Sequence, residues 1–318
     1  MPVTGLQAIA LRKAFGKVQA LDGLDLSVQA GTVCALLGPN GAGKTTAIRI
    51  LTTLTKPDAG QAVVAGHDVT REPRQVRQKI GLAGQHAAVD DDLTGRENLF
   101  ILGLMHHLGR SEARQRAEAL LEKFALNDAG DRLVKTWSGG MRRRLDVVAS
   151  LIVSPRVLFL DEPTTGLDPR SRAEIWAAIR ALADTGTTIL LTTQYLDEAD
   201  QLASQIVIMD QGRAVAQGSP DELKDTLGRR IDVVVTDPAD LAAAAAVIQR
   251  LTQNAPATDQ DQRRLSTPVA ATAITLPELV RQLDAAGIAA EDVTLRRPTL
   301  DEVFLDRTGA RTGKGHAA

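Results

Sequence analysis

The chain has 318 residues, 44 % of them hydrophobic and 24 % charged, enough for one large α/β domain plus a smaller one with a real core. Its formal net charge is −2 and only 3 % of its residues are aromatic. That excludes a strong basic field or a stacking surface for nucleic acid, and no nucleic-acid partner is expected.

From the start of the chain, residues 6–15 and 18–28 read as strands separated by a Gly16-Lys17 turn. Residues 32–37 are a nearly unbroken apolar run that stops at Gly38-Pro39-Asn40-Gly41, so the spacing predicts strand, Gly-rich loop, then helix. The single cysteine, Cys34, lies inside this run as a small buried hydrophobe. It has no cysteine to pair with, and a reduced cytosolic setting fits. Residues 61–65 form another short strand, ended by Gly66. The stretch 86–150 reads as helical: Ala113, Ala117, Leu120, Leu121 and Phe124 recur at helical spacing, and so do Leu145, Val148, Ala149 and Ile152.

Buried-type strands return at 156–160 and 187–191. Between them Asp168 is placed as an N-cap, Pro169 as the first helical residue and Gly186 as the stop. Strand–helix alternation implies a mostly parallel sheet covered on both faces. Past Gly228 the character changes. A strand over 231–236, a helix over 239–251, an exposed polar turn over 254–264, a helix over 276–286 and a strand over 293–296 suggest a small α+β domain. Residues 309–318 are expected to be a disordered tail. No run approaches the ~18–20 apolar residues that span a bilayer, and residues 1–15 lack a signal-peptide core. The chain is therefore expected in the cytoplasm, with a partner needed to hold it at a membrane.

Three constellations carry chemistry. The segment Gly38-Pro39-Asn40-Gly41-Ala42-Gly43-Lys44-Thr45-Thr46 matches the phosphate-binding loop pattern. Its glycines let backbone N–H groups turn toward a triphosphate, and the following helix adds its positive dipole end. Lys44 is placed to reach the β- and γ-phosphates and Thr45 to hold Mg²⁺. In Val157-Leu158-Phe159-Leu160-Asp161-Glu162 a buried strand ends in two adjacent carboxylates. Neighbouring strand side chains point oppositely, so Asp161 suits the Mg²⁺ shell and Glu162 suits the attacking water. In Trp137-Ser138-Gly139-Gly140-Met141-Arg142, Ser138 is a good N-cap and two glycines bare the backbone where a helix begins. That makes a second anion site, or an ordinary capped helix. His86, His106 and His107 do not have the spacing of a metal site.

Together these residues resemble the ABC (ATP-binding cassette) ATPase family over residues 4–227, in the family's order and spacing. The resemblance implies a P-loop NTPase α/β fold: a mostly parallel sheet core, an antiparallel β subdomain and a helical subdomain over about 86–150. It also implies a small C-terminal accessory α+β domain over 229–308. Residues 38–46 look like the Walker A loop, Asp161 and Glu162 like the end of Walker B with its catalytic glutamate, and Ser138, Gly139 and Gly140 like the signature that contacts ATP across a dimer. Gln85 matches the glutamine that reads Mg²⁺, and Asp168 lies in a D-loop. Phe15 stands where an aromatic stacks on adenine, with a core position in the first sheet as the other reading. Gln194 stands where many relatives carry a switch histidine. It can donate to a γ-phosphate but cannot titrate near neutrality. Residues 138–146, 192–196 and 297–305 are similar to the daunorubicin-resistance type of drug-export ATPase.

The resemblance further implies ATP and Mg²⁺ as ligands, a head-to-tail homodimer and a multi-span membrane permease on a separate chain. The protein would then work at the cytoplasmic face of the cell membrane and export a hydrophobic compound. The helical stretch and Ala87-Ala88-Val89 are the expected permease contact, or an ordinary loop under the helices. For the C-terminal domain, dimer support and permease contact both stay open. The alternative function is a soluble ATPase of the same family acting on ribosomes or DNA.

Overall fold

The structure, a computed structural model, describes residues 4–84, 88–269 and 275–312, with side chains up to 309. It divides into two units, Met1–Pro220 and Asp221–Ala318.

In the first unit, β1 (Thr4–Phe15) and β2 (Val18–Gln29) form an antiparallel ribbon in which Phe15 faces Val18. β3 (Val33–Leu37) leads into α1 (Lys44–Leu51). β4 (Ala59–Val64) and β5 (His67–Asp68) join the ribbon in a four-stranded antiparallel sheet ordered β2-β1-β4-β5. After α2 (Pro73–Arg77) and β6 (Ile80–Ala83) come the helices α3 (Gly95–Met105), α4 (Arg110–Lys123) and α5 (Gly139–Ala149). β7 (Val157–Asp161), α6 (Pro169–Asp184), β8 (Thr188–Thr193), α7 (Leu196–Leu202), β9 (Gln205–Asp210) and β10 (Arg213–Gly218) follow. They complete a six-stranded sheet ordered β10-β9-β3-β8-β7-β6, parallel except where β10 meets β9.

Every residue of β3, β7 and β8 is buried, which is why these strands read as continuous apolar runs. Leu6, Leu21, Leu36, Ile48, Val64 and Phe159 belong to one core that both sheets share with α1. Each such side chain contributes about 1.5–3 kcal/mol on burial. This core fixes the ends of β3 and β7, where the site lies. The helical stretch begins at Gly95, later than its expected start near 86. A capping box of Thr94 and Glu97 sets that start. Ahead of it, Asn98 ties down a loop by accepting from Asp90 N–H and donating to Asp90 O. Among the described residues no helix is long and apolar enough to cross a membrane.

The second unit carries α8 (Pro220–Asp225), β11 (Arg229–Val235), α9 (Leu241–Thr252), β12 (Ala257–Asp259), β13 (Arg264–Val269), α10 (Leu276–Ala285), β14 (Ala290–Arg296) and α11 (Leu300–Thr312). Its antiparallel sheet is ordered β12-β13-β11-β14. Ile231, Val233, Leu265, Ile248 and Leu279 share its core. The unit starts before the expected 229, because Arg297 pairs with Asp221 and Asp225 and so attaches α8. Two other expectations are corrected. The segment 254–264 is not a bare turn, since Thr258 and Asp259 pair with Leu265 and Arg264 in a hairpin. β12 is exposed throughout and has no apolar alternation to mark it. Residues 309–312 are not a disordered tail but the last turn of α11. That helix starts at a Thr299–Glu302 capping box, with reciprocal bonds of 2.9 and 3.3 Å. Residues 313–318 lie outside the described residues.

Candidate active site

The site lies at the carboxyl ends of three adjacent parallel strands, β3, β8 and β7. Leu37 pairs with Thr193, and Asp161 pairs with Thr192. The loop after β3, the residue after β8 and the acids ending β7 therefore leave the sheet side by side. Open α/β sheets bind ligands at such an edge.

The loop wraps a cleft of about 310 Å³ lined by Val18, Ala20, residues 40–46 and Glu162. Gly43, the N-cap of α1, has φ +102, and a Cβ there would meet Ala20 O at 2.4 Å. Only glycine fits. No side chain caps α1 at this end, so its first N–H groups face the cleft as anion donors. Lys44 is buried and donates to Gly38 O at 2.7 Å and Pro39 O at 3.1 Å. Its Nζ lies 3.8 Å from Glu162 Oε1. Burial pulls the ammonium below its usual pKa, while the Glu162 and Asp161 carboxylates pull it back up. A phosphate would be a further partner for this charge.

Thr45 Oγ1 donates to Asp161 Oδ1 at 3.2 Å. This pairs a hydroxyl with a carboxylate, two hard oxygens of the kind Mg²⁺ takes alongside substrate phosphates. Thr192 donates to the same Asp161 oxygen at 2.6 Å and accepts from Glu162 N–H at 3.0 Å. One hydroxyl thus fixes both acids. Glu162 has φ +50, a left-handed conformation that costs a non-glycine residue about 1–3 kcal/mol. This turn aims its carboxylate at the cleft, where Thr165 Oγ1 donates to Oε2 at 3.3 Å.

The other expected residues fall as follows. Phe15 is 51 % exposed, so the core reading fails. Its register partner Val18 lines the cleft. Gln194 is exposed and follows Thr193, which pairs with Leu37 next to Gly38. Ser138 caps α5 by accepting from Met141 N–H at 3.2 Å. Ser138 and Gly139 are exposed, whereas Gly140 is buried, and a Cβ there would meet Ser171 Oγ at 2.3 Å. Asp168 caps α6, accepting from Ser171 N–H at 3.0 Å and Ser171 Oγ at 2.7 Å. These bonds hold its carboxyl below the usual range. Gln85, His86 and Ala87 lie outside the described residues.

Two residues given no role by the sequence reading shape the site. Thr192 is one. Its only sequence signal is a hydroxyl just after the apolar run Ile189-Leu190-Leu191. The other is Arg143, which spreads its guanidinium over the backbone carbonyls of Asp161, Glu162 and Pro163. No local spacing reveals that contact.

Known proteins match nearly the whole of this chain. The family model described as ABC transporter matches residues 21–165. A daunorubicin resistance ATP-binding protein of Streptomyces coeruleorubidus is 56 % identical over 308 residues, covering 96 % of each chain. A Nod factor export ATP-binding protein of Ralstonia nicotianae is 39 % identical over 308 residues, 96 % of this chain and 94 % of that one. The crystal structure of a nucleotide-free ATP-binding cassette from an ABC transporter superposes with a TM-score of 0.64 at 26 % identity, covering 71 % of this chain and 95 % of that one.

Proposed function

This chain belongs to the ABC transporter ATP-binding family, and on that premise we propose that it drives export of a hydrophobic, drug- or antibiotic-like compound through a permease on a separate chain. Its activity is ATP hydrolysis that energises export, and as a family member it binds ATP and works with a membrane permease. The observation that carries the residue roles is the junction of the loop with the acid pair. Lys44 Nζ lies 3.8 Å from Glu162, and Thr45 lies 3.2 Å from Asp161.

In this reading the N–H groups of 38–46 and the Lys44 ammonium bind the β- and γ-phosphates. Thr45, Asp161 and Gln85 hold Mg²⁺, which when bound neutralises charge on the phosphates. Glu162 takes the proton of the attacking water. Gln194 donates to the γ-phosphate, and Phe15 stacks on adenine. Ser138, Gly139 and Gly140 of a second copy close on the same γ-phosphate in a head-to-tail homodimer, with Asp168 at the joint. Hydrolysis removes that contact and lets the copies part.

A groove of about 270 Å³, lined by Leu54, Leu82, Ala88, Leu102, His106 and Val153, is the permease contact, at the cytoplasmic face of the membrane. A soluble ATPase acting on ribosomes or DNA is not favoured, because ATP-binding proteins named for drug resistance and export match nearly the whole chain. The test is a pull-down of tagged protein from detergent-solubilised membranes of its host, read by mass spectrometry. A stoichiometric multi-span partner is expected. A clean soluble dimer, or ribosomal company, overturns the export reading.

A further inference from the structure

Arg143 lies one turn into α5, the helix that Ser138 caps. Its side chain is 13 % exposed, and every polar contact it makes is to something of consequence. Nε donates to Pro163 O at 3.0 Å. Nη2 donates to Asp161 O at 3.0 Å and Glu162 O at 3.2 Å. Nη1 donates to Gly84 O at 2.6 Å and Asp146 Oδ2 at 3.0 Å. Asp146 is 1 % exposed, accepts from Ala88 N–H at 2.7 Å, and lines the same groove as Ala88. One guanidinium therefore touches three successive carbonyls around the catalytic acid. Through Asp146 it reaches the floor of the groove.

We infer that Arg143 is the positioning residue for Glu162, and that with Asp146 it ties the groove to the acid. The inference rests on Glu162 as the base and on the groove as the permease contact. Glu162 sits at φ +50, a conformation that the backbone does not choose unaided. Thr192 holds its N–H and Arg143 holds its carbonyl, so the peptide units on both sides of Glu162 are pinned. The planar fork of an arginine suits this task, because it donates in several fixed directions at once, whereas a lysine ammonium is a point charge. A shift of Ala88 or Asp146 moves Nη1, and the same rigid plane carries Nη2, which holds Glu162. Arg143 does not touch ATP in this arrangement. Its loss therefore acts on turnover and not on nucleotide affinity, since misplacing a reacting group by 1 Å can cost about a hundredfold in rate.

The test compares Arg143→Lys with the natural protein, each also carrying Glu162→Gln, by steady-state ATPase kinetics, equilibrium binding of a fluorescent ATP analogue and thermal melting. Expected are a ten- to hundredfold fall in kcat, a KM for ATP and an analogue affinity within twofold, and no further fall when Glu162 is already Gln. Non-additivity of this kind marks residues that act as one unit. An unchanged kcat, or an equal fall in both backgrounds, overturns the positioning role. If Glu162→Gln itself leaves turnover intact, the base role fails, and that outcome is separately visible. Should Arg143→Lys melt early, Asp146→Asn serves. It keeps an oxygen for Ala88 N–H and weakens only the Nη1 contact, and a two- to fivefold fall in kcat with unchanged KM is expected. No fall with that variant removes the tie to the groove.

Discussion

The two units bury carboxylates in opposite ways. In the first, Asp146 and Glu198 are almost wholly enclosed. Burial raises both pKa values, against the Ala88 N–H and Arg143 for Asp146 and against neighbouring hydroxyls and the Trp176 indole for Glu198. In the second, burial also works against Asp232 and Glu302, but it loses. Ser266 at 2.5 Å and Arg296 at 2.6 Å, with Arg264 beside them, hold Asp232 below its usual value. Arg296 grips Glu302 with two bonds of 2.8 Å and, with the Thr299 N–H, holds it low too. The second unit's acids are braces, joining three strands and the start of α11. The first unit ties its acids to segments that border the cleft and the groove. In the second unit charged partners outweigh burial, whereas in the first burial outweighs the partners.

The largest way to sharpen this contrast is Glu162→Gln. Its turnover is expected to fall about 10²–10⁴-fold, the usual worth of a positioned general base. ATP binding and the melting temperature should hold. Phosphate release and calorimetry check it, and a melting change as large as the activity change would make Glu162 a brace as well. Next is Arg296→Met in the second unit. Breaking a fully buried ion pair costs about 3–5 kcal/mol. Arg296 is 24 % exposed, so about 2 kcal/mol is expected, with kcat per folded molecule unchanged. Urea unfolding followed by circular dichroism measures it.

The smallest effect appears only in acid. Asp232 and Glu302 have depressed folded values, so the stability they lend is present above their unfolded values of about 4. It drains away as pH falls through the folded ones. Asp146 and Glu198 have raised values and run the other way, gaining stability as pH falls through them, while the acids of that unit that are held low, Asp168 with Asp58, Glu72, Glu97 and Asp131, face solvent and lend little. Acidification is therefore expected to unfold the second unit first. Both tryptophans, Trp137 and Trp176, lie in the first unit. Far-ultraviolet dichroism should fall before tryptophan fluorescence changes. Coincident transitions would break the comparison.

The same contrast explains what could be read from residue order. Residues 38–46 and the acid pair were legible because each is local: an apolar strand, then a loop whose spacing is itself the chemistry. Arg143 and Thr192 were not, because their contacts join positions far apart in the chain, 18 residues for Arg143 to Asp161 and 31 for Thr192 to Asp161. In the second unit, the braced strand β13 has polar residues at Arg264, Ser266 and Thr267, and a proline at 268. Its buried face, Leu265, Thr267 and Val269, is broken by a threonine, and Arg264 and Ser266 on the other face serve the Asp232 cluster. The start of α11 was legible in principle, since Thr299 and Glu302 have capping-box spacing. Two glycines near its end suggested a tail instead. Phe15 shows the limit of composition: an aromatic beside a strand is as easily a core residue, and only its exposure decides.

The contact between Gly140 and Ser171 bears on how such chains drift over generations. No side chain fits at 140 while Ser171 keeps its hydroxyl, and that hydroxyl is bonded to Asp168. A lineage that enlarged 140 would first have to shrink 171, and in doing so it would loosen 168. Three positions, two of them matching named motifs and the third matching none, are thereby held to one another's history. In a set of descendants they should change together or stand still.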